Sequence, residues 1–261
     1  MLSIQNLSFC YENGKRGEES GGLVLNDISF GMDKGDIVAL LGPSGCGKST
    51  LFYILGGLYA PTKGSIYLQG RSFIREPGRI GYLSPQPSLF PWKTVYDNIA
   101  MGRLSQKPNP ATDSPSVEEL LAVIGLTDYA REYPKALSMG MQQRVALARA
   151  LYGGHALLCL DEPFSSLDNL KKKELLVWLR GLLKERHTTT LVVTHSTEEA
   201  AILADEVHCL TPRPSKIFES LLVPLQDMER FDSSKSLKRL QWQAKVENLF
   251  AGYSEHRDVT S

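Results

Sequence analysis

No run of apolar residues in this sequence approaches the ~18–20 needed to cross a bilayer as a helix. The longest nearly uninterrupted stretch, Leu51 to Ala60, is broken by two glycines, so no membrane helix is expected. The first residues, Met1-Leu2-Ser3-Ile4-Gln5-Asn6, carry neither a basic leader nor an apolar block with a cleavage site. Secretion therefore has no support, and the cytosol is the expected compartment. Excess charge of either sign is missing too, since 29 Lys and Arg balance 29 Asp and Glu. Nothing global draws such a chain to a polyanion, so nucleic-acid binding is not expected, and any grip on phosphate or lipid must be local. Cysteine is scarce. Cys10, Cys46, Cys159 and Cys209 lie far apart without CxxC spacing, which argues against a zinc site or a disulfide framework and for reduced thiols, mostly in the core.

What is present is ample for a core: 261 residues, 42% of them hydrophobic, enough for one large or two small domains. Leu2 to Phe9, Val24 to Phe30, Ile37 to Leu41, Ser65 to Leu68 and Arg79 to Leu83 read as strands. The polar, Gly-rich stretch Glu12 to Gly22 between the first two reads as an exposed hairpin loop. From about Pro87 the texture becomes helical, with Thr94 to Met101, Ser116 to Ile124 and Gln142 to Leu151 as helices. Ser116 and Glu119 have the spacing of a capping box. Ser105 to Pro115, with three prolines, reads as a surface connection. Strands return with Ala156 to Leu160, Thr190 to Val193 and Glu206 to Leu210. Between them Leu175, Leu179, Leu182 and Leu183 share one helix face. Alternating strands and helices predict an α/β fold with a largely parallel sheet.

These shifts divide the chain into a discontinuous body, residues 1–86 with 153–225, a helical subdomain, 87–152, and an extension, 226–261. In the extension, Leu237, Leu240, Val246, Leu249 and Phe250 are expected on one side of a helix, with a frayed tail from Gly252.

Chemistry concentrates after the strand Ile37 to Leu41. Gly42-Pro43-Ser44-Gly45-Cys46-Gly47-Lys48-Ser49-Thr50 is a complete G-x-x-x-x-G-K-S loop in strand–loop–helix context. Its glycines let backbone N–H groups and the helix N-terminus close around a phosphate. Lys48 supplies a cation to the β and γ oxygens, and Ser49 a hydroxyl to Mg²⁺. A second motif, Leu157-Leu158-Cys159-Leu160-Asp161-Glu162, is a buried strand delivering Asp161 to the edge where parallel sheets place ligands. Asp161 reads as the Mg²⁺ partner and Glu162 as the general base for an attacking water. An apolar strand ending in Asp-Glu is common by itself; the pairing with the phosphate loop gives it meaning.

The segment Leu137-Ser138-Met139-Gly140-Met141-Gln142-Gln143-Arg144 and its continuation to Leu151 resembles the signature of ABC transporter ATPases. So does the order phosphate loop, Gln86, signature, Asp161-Glu162, Ser165-Ser166-Leu167-Asp168, His195, spread over roughly residues 1 to 225. The resemblance implies an N-terminal antiparallel β subdomain and a helical subdomain on a P-loop NTPase core, with ATP and Mg²⁺ as ligands. It implies that Tyr11 stacks on adenine, that Gln86 senses Mg²⁺ and the attacking water, and that His195 contacts the γ-phosphate. Ser138 and Gly140 would cover the nucleotide of an opposing subunit, and Asp168 would lie at the dimer seam. The expected partners are a second copy or another ABC ATPase, integral membrane permease subunits and, indirectly, a substrate-binding protein, which puts the chain at the cytoplasmic face of the membrane.

Within the family, Pro87 to Gly102 and Leu210 to Ile217 resemble ATPases of nitrate, sulfonate, taurine and pyrimidine-precursor importers. Leu89, Phe90 and Trp92 are expected to hold a permease helix. An exporter ATPase, a catalytically weakened partner subunit and a non-transport ABC protein are the rival readings. The sequence departs from the family at Met139, which replaces a Gly. Its side chain would crowd the γ-phosphate, or its backbone would need a conformation that Met adopts less readily. Lys171-Lys172-Lys173 reads as a solvated helix face without function.

Overall fold

The computed structural model describes residues 1–11, 22–103, 115–165, 169–231 and 237–258. The expected loop through 12–21, most of the proline-rich connection and Asp168 lie outside the described residues.

Two sheets share the body. Strands β1 (Leu2–Cys10) and β2 (Leu23–Met32) pair antiparallel. After them come the short, wholly buried β3 (Ile37–Leu41) and helix α1 (Lys48–Leu55). Strand β4 (Lys63–Leu68) returns to β1, and β5 (Arg71–Ser72) closes an antiparallel sheet of order β2-β1-β4-β5. The chain then enters the second sheet through β6 (Gly81–Leu83). Helices α2 (Val95–Ala100), α3 (Val117–Val123) and α4 (Met139–Tyr152) follow. Next come β7 (Leu157–Asp161), α5 (Asn169–Glu185), β8 (Thr189–Thr194), α6 (Thr197–Leu203) and β9 (Glu206–Leu210). Strand β10 (Ile217–Leu222) and helices α7 (Asp227–Phe231) and α8 (Leu237–Asp258) finish the described chain. The second sheet has the order β10-β9-β3-β8-β7-β6, parallel except for the antiparallel edge strand β10.

Helix α1 lies between the sheets. Its Leu51, Phe52, Ile54 and Leu55 join Leu7, Ile28 and Ile66 of the antiparallel sheet and Val38, Leu40, Leu191 and Val193 of the parallel one in a single buried cluster. Each such side chain contributes about 1.5–3 kcal/mol on burial, so the helix that opens the phosphate site is anchored on both sides. On the opposite face of the parallel sheet, Leu175, Leu176, Leu179 and Leu183 of α5 pack with Leu158, Leu160 and Val192; Leu182, expected on this face, is only partly buried and lies outside the cluster, while Leu176 belongs to it. The helical region has its own core, in which Val95, Ile99, Leu120, Leu121, Val145 and Ala148 meet. The capping box forms as read: Ser116 Oγ accepts from Glu119 N at 3.0 Å and Ser116 N donates to Glu119 Oε2 at 2.7 Å.

Four expectations need correction. Helix α4 starts at Met139, three residues before the expected Gln142, because Ser138 caps it by accepting from Met141 N. The signature is therefore the first turn of a helix. In α8 the inward face carries Arg239, Trp242 and Val246, while Leu237 and Leu240 are exposed. The helix also runs through the expected frayed segment to Asp258, because Phe218 packs against Phe250 (ring centroids 5.3 Å) and stacks on Tyr253 (4.7 Å). Lys172, read as solvated, pairs with the buried Glu199 of α6.

Candidate active site

Four parallel strands end at one edge. Along it Leu41 of β3 pairs with Thr194 of β8 and Cys209 of β9, and Asp161 of β7 with Val193. The phosphate loop, Asp161-Glu162 and His195 leave from this edge side by side, which is why motifs more than a hundred residues apart meet.

The loop opens onto a small cavity of about 140 Å³ lined by Ser44, Gly45, Gly47, Lys48, Ser49, Thr50, Asp161, Glu162 and Arg213. Gly47 caps α1 at φ +124° and offers no side-chain cap, and the first turn holds no acidic residue. The first-turn N–H groups and the helix dipole therefore face the cavity with no capping side chain or acidic residue of the helix itself to satisfy them. Glycine is required at Gly47, where a Cβ would stand 2.9 Å from Val24 Cγ1. Lys48 is buried, and its Nζ donates to the carbonyls of Gly42 (2.8 Å) and Pro43 (2.9 Å). The ammonium is thus held over the loop by two neutral acceptors that a phosphate oxygen can outbid.

Asp161 is almost fully buried. Burial pushes its carboxyl above the ordinary range, with the charge of Glu162 adding to the shift. Hydrogen bonds from Ser49 and Tyr82 (Oη to Oδ2, 3.4 Å) and the charge of Lys48 oppose it. The Ser49 hydroxyl and Asp161 carboxylate make an all-oxygen pair of the kind a hard divalent cation prefers. Among the described residues no cluster of three or more His, Cys, Asp or Glu side chains forms a cage.

Glu162 stands at φ +48° with its N–H donating to Val193 O at 2.9 Å. A non-glycine residue in this region costs on the order of 1–3 kcal/mol and is kept only where the surroundings enforce it. His195 Nδ1 lies 3.5 Å from Glu162 Oε1. A buried relay fixes the backbone on both sides of His195. Thr194 Oγ1 donates to Glu199 Oε2 at 2.5 Å and accepts from Ser196 N at 3.0 Å, and Glu199 is held in turn by Lys172.

Tyr11, at the end of β1, packs edge-on against Phe9 and Tyr59 and shares a 3.0 Å hydrogen bond with Thr50 of α1. Gln86, Ser138 and Gly140 do not line the cavity. Gln86 is exposed at the entrance to the helical region, its carbonyl accepting from Ser84 Oγ at 2.6 Å. Met139 has ordinary helical backbone and is 59% exposed, so the expected conformational penalty does not arise and only crowding remains. Of the apolar residues expected to meet a partner, Leu89 packs inward between two core clusters. Trp92 is 69% exposed and Phe90 lies beneath it, ring centroids 5.6 Å apart. Fully buried Asn98 fixes this platform, accepting from Phe90 N and donating to the carbonyls of Phe90, Lys93 and Thr94.

Sequence reasoning gave no role to Arg213, Tyr82, Asn98 or the Thr194–Glu199–Lys172 relay. Arg213 had a signal, since it follows the fourth parallel strand at the ligand-bearing edge. The others had none, because their importance comes only from what folding places beside them.

Comparison with known proteins agrees with this geometry. The profile of the family described as ABC transporter matches residues 25–165. The taurine import ATP-binding protein TauB of Roseobacter denitrificans is 38% identical over 230 residues, 87% of this chain and 84% of that protein. The aliphatic sulfonates import ATP-binding protein SsuB 2 of Burkholderia cenocepacia is 37% identical over 217 residues, 83% of this chain and 79% of that protein. Among solved structures, the dimeric post-hydrolysis state of the ATP-binding cassette MJ0796 bound to ADP and Pi superposes with a TM-score of 0.74 at 26% identity, covering 87% of this chain and all of that one.

Proposed function

The chain belongs to the ABC transporter family, and from that premise we propose that it is the ATP-hydrolysing subunit of an importer for a small solute of the taurine or sulfonate type. The observation that carries the proposal is the meeting of Lys48, Ser49, Asp161 and Glu162 around one cavity with His195 beside Glu162.

In this reading the phosphate chain of ATP enters the mouth of α1. Lys48 exchanges its carbonyl acceptors for phosphate oxygens, an attraction on the order of 4 kcal/mol at contact in a partly desolvated site. Ser49 and Asp161 would hold Mg²⁺, with Gln86 completing its surroundings; the ion supplies charge neutralisation of the phosphates. Glu162 orients the attacking water and takes its proton, while His195 steadies the γ-phosphate and the Glu162 carboxylate. Tyr11 offers its ring to adenine.

Ser138 and Gly140 lie outside the cavity of their own chain, so each site is completed by the signature of a second subunit, and a twofold pair forms two sites. Residues 1–86 with 153–225 act as the nucleotide-binding body, and 87–152 carries the motion to the membrane partner. Among the described residues no helix is long and apolar enough to cross a membrane, so the translocation path belongs to separate permease subunits. Trp92 on the Asn98-braced platform is the surface for a permease helix, a large aromatic being a common anchor in such contacts.

Reconstitution with permease subunits and binding protein in liposomes tests this reading. Hydrolysis should rise when the binding protein carries taurine or an alkanesulfonate and vanish in Lys48→Ala. Absence of ATP hydrolysis in the assembled complex would overturn it.

A further inference from the structure

Arg213 stands where the sequence gave no catalytic motif, yet it lines the phosphate cavity together with Ser44, Gly45, Lys48, Asp161 and Glu162. It is exposed, and no carboxylate pairs with it among the described residues. A cation without an internal counter-ion at an anion-binding mouth is disposed towards a ligand.

The turn that carries Arg213, residues 211–216, is tightly built. Thr211 is buried. Its N–H donates to Lys216 O at 2.9 Å, and its Oγ1 accepts from Lys216 N at 3.0 Å. Ser215 is wholly buried, its N–H donating to Val24 O at 2.8 Å and its carbonyl accepting from Asn26 N at 2.9 Å.

The same residues that hold this turn also back the phosphate loop. A Cβ on Gly47 would meet Val24 Cγ1 at 2.9 Å and Leu25 Cδ2 at 3.0 Å, and one on Gly42 would meet Leu210 Cβ at 3.0 Å. Leu210 is the last residue of β9 before the turn, and Val24 and Leu25 border its far end. Both ends of the phosphate loop therefore rest on both ends of the Arg213 turn. The backbone fixes the arginine's origin relative to the phosphates even though its side chain is solvated.

Charge favours the same conclusion. Asp161 and Glu162 stand on the cavity wall, where Lys48 and Arg213 are the only lining cationic side chains among the described residues. A planar guanidinium can take two oxygens of one phosphate group at once, which an ammonium cannot. We propose that Arg213 is a second cationic ligand for the phosphate chain of the bound nucleotide, positioned by the β9–β10 turn. The proposal rests on reading the cavity as an ATP site.

Nucleotide affinity tests it, measured by titration calorimetry with ATP and AMP at two salt concentrations for the wild type, Arg213→Ala, Arg213→Lys and Lys48→Ala. Loss of a charged hydrogen bond to phosphate should weaken ATP binding about tenfold or more in Arg213→Ala, with partial recovery in Arg213→Lys and little change for AMP. The salt dependence of ATP binding should flatten in Arg213→Ala. An unchanged thermal melt and circular dichroism spectrum would show that the exposed substitution left the fold intact. Wild-type ATP affinity in Arg213→Ala, with binding lost in Lys48→Ala, would overturn the proposal while sparing the ATP site. Wild-type affinity in Lys48→Ala as well would bring down the underlying reading. Normal binding with lost ATP-dependent dimerisation would place the arginine against the opposing subunit and would also refute it.

Discussion

His195 Nδ1 and Glu162 Oε1 stand 3.5 Å apart at the ends of adjacent strands β8 and β7, each backbone held by a different device. Glu162 adopts a left-handed conformation, φ +48°, with its N–H bonded to Val193 O. His195 is bracketed by the Thr194 hydroxyl, which bonds both Glu199 and Ser196 N. A general base works only when it is held within reach of its proton, and here positioning is assigned to the backbone rather than to side-chain packing.

Replacing Glu162 by Gln removes the proposed base and keeps the shape. ATP binding should persist and ATP-driven dimers should accumulate, while turnover falls by about 10²- to 10⁴-fold. Single-turnover hydrolysis and size-exclusion chromatography with ATP measure the two halves. Near-normal turnover would remove Glu162 from the role of base.

Asp161→Asn should stabilise the free protein and disable it. Burial raises the Asp161 carboxyl above its ordinary value of 3.8, so the proton is bound more tightly in the folded state than in the unfolded one. Stability linked to this group is fully present below the unfolded value and is lost as pH rises through the folded one. At neutral pH the buried charge is a cost that Asn removes, so the variant should melt higher at pH 7 and lose the advantage near pH 4. Its ATPase should fall to background. A lower melting temperature at pH 7 would contradict the burial argument.

Met139→Gly addresses the departure from the family signature. The helical backbone at Met139 costs nothing special, so in the proposed two-subunit site any penalty comes from its exposed side chain. The ATPase rate of the assembled complex should rise on substitution, while thermal stability drops by about 1 kcal/mol or less through the first-turn glycine. An unchanged rate would show that the thioether clears the phosphate.

His208 sets an acid limb of stability. It is buried on β9, bonded through Nδ1 to Ser220 Oγ at 2.8 Å and packed on Phe30. Burial holds its imidazole down to about 4 from 6.5. A lowered value means the unfolded chain binds the proton first, so stability present above about 6.5 is lost as pH falls towards 4. Urea midpoints followed across this window should decline less steeply in His208→Gln than in the wild type. Parallel slopes would show that His208 does not carry the effect.

Much of this protein was determined by sequence alone, because its signals are local. Gly42 to Thr50 reads as an anion-binding loop whatever surrounds it, since glycine spacing, a lysine and a helix start lie within nine residues. The leucine stripe of α5 and the capping box at Ser116 need only their own neighbours. Tertiary structure decided what depends on adjacency between distant segments. Met139 and Lys172 changed meaning once the start of α4 and the position of Glu199 were known. Leu89 turned inward while Trp92 stayed outside, because Asn98 holds the chain between them. Arg213 joined the phosphate cavity only because β9 pairs with β3, so that a turn whose Arg213 lies 163 residues beyond Thr50 comes to rest against the loop. Periodicity and motif spacing carry no information about strand order, and strand order is what gathers this site.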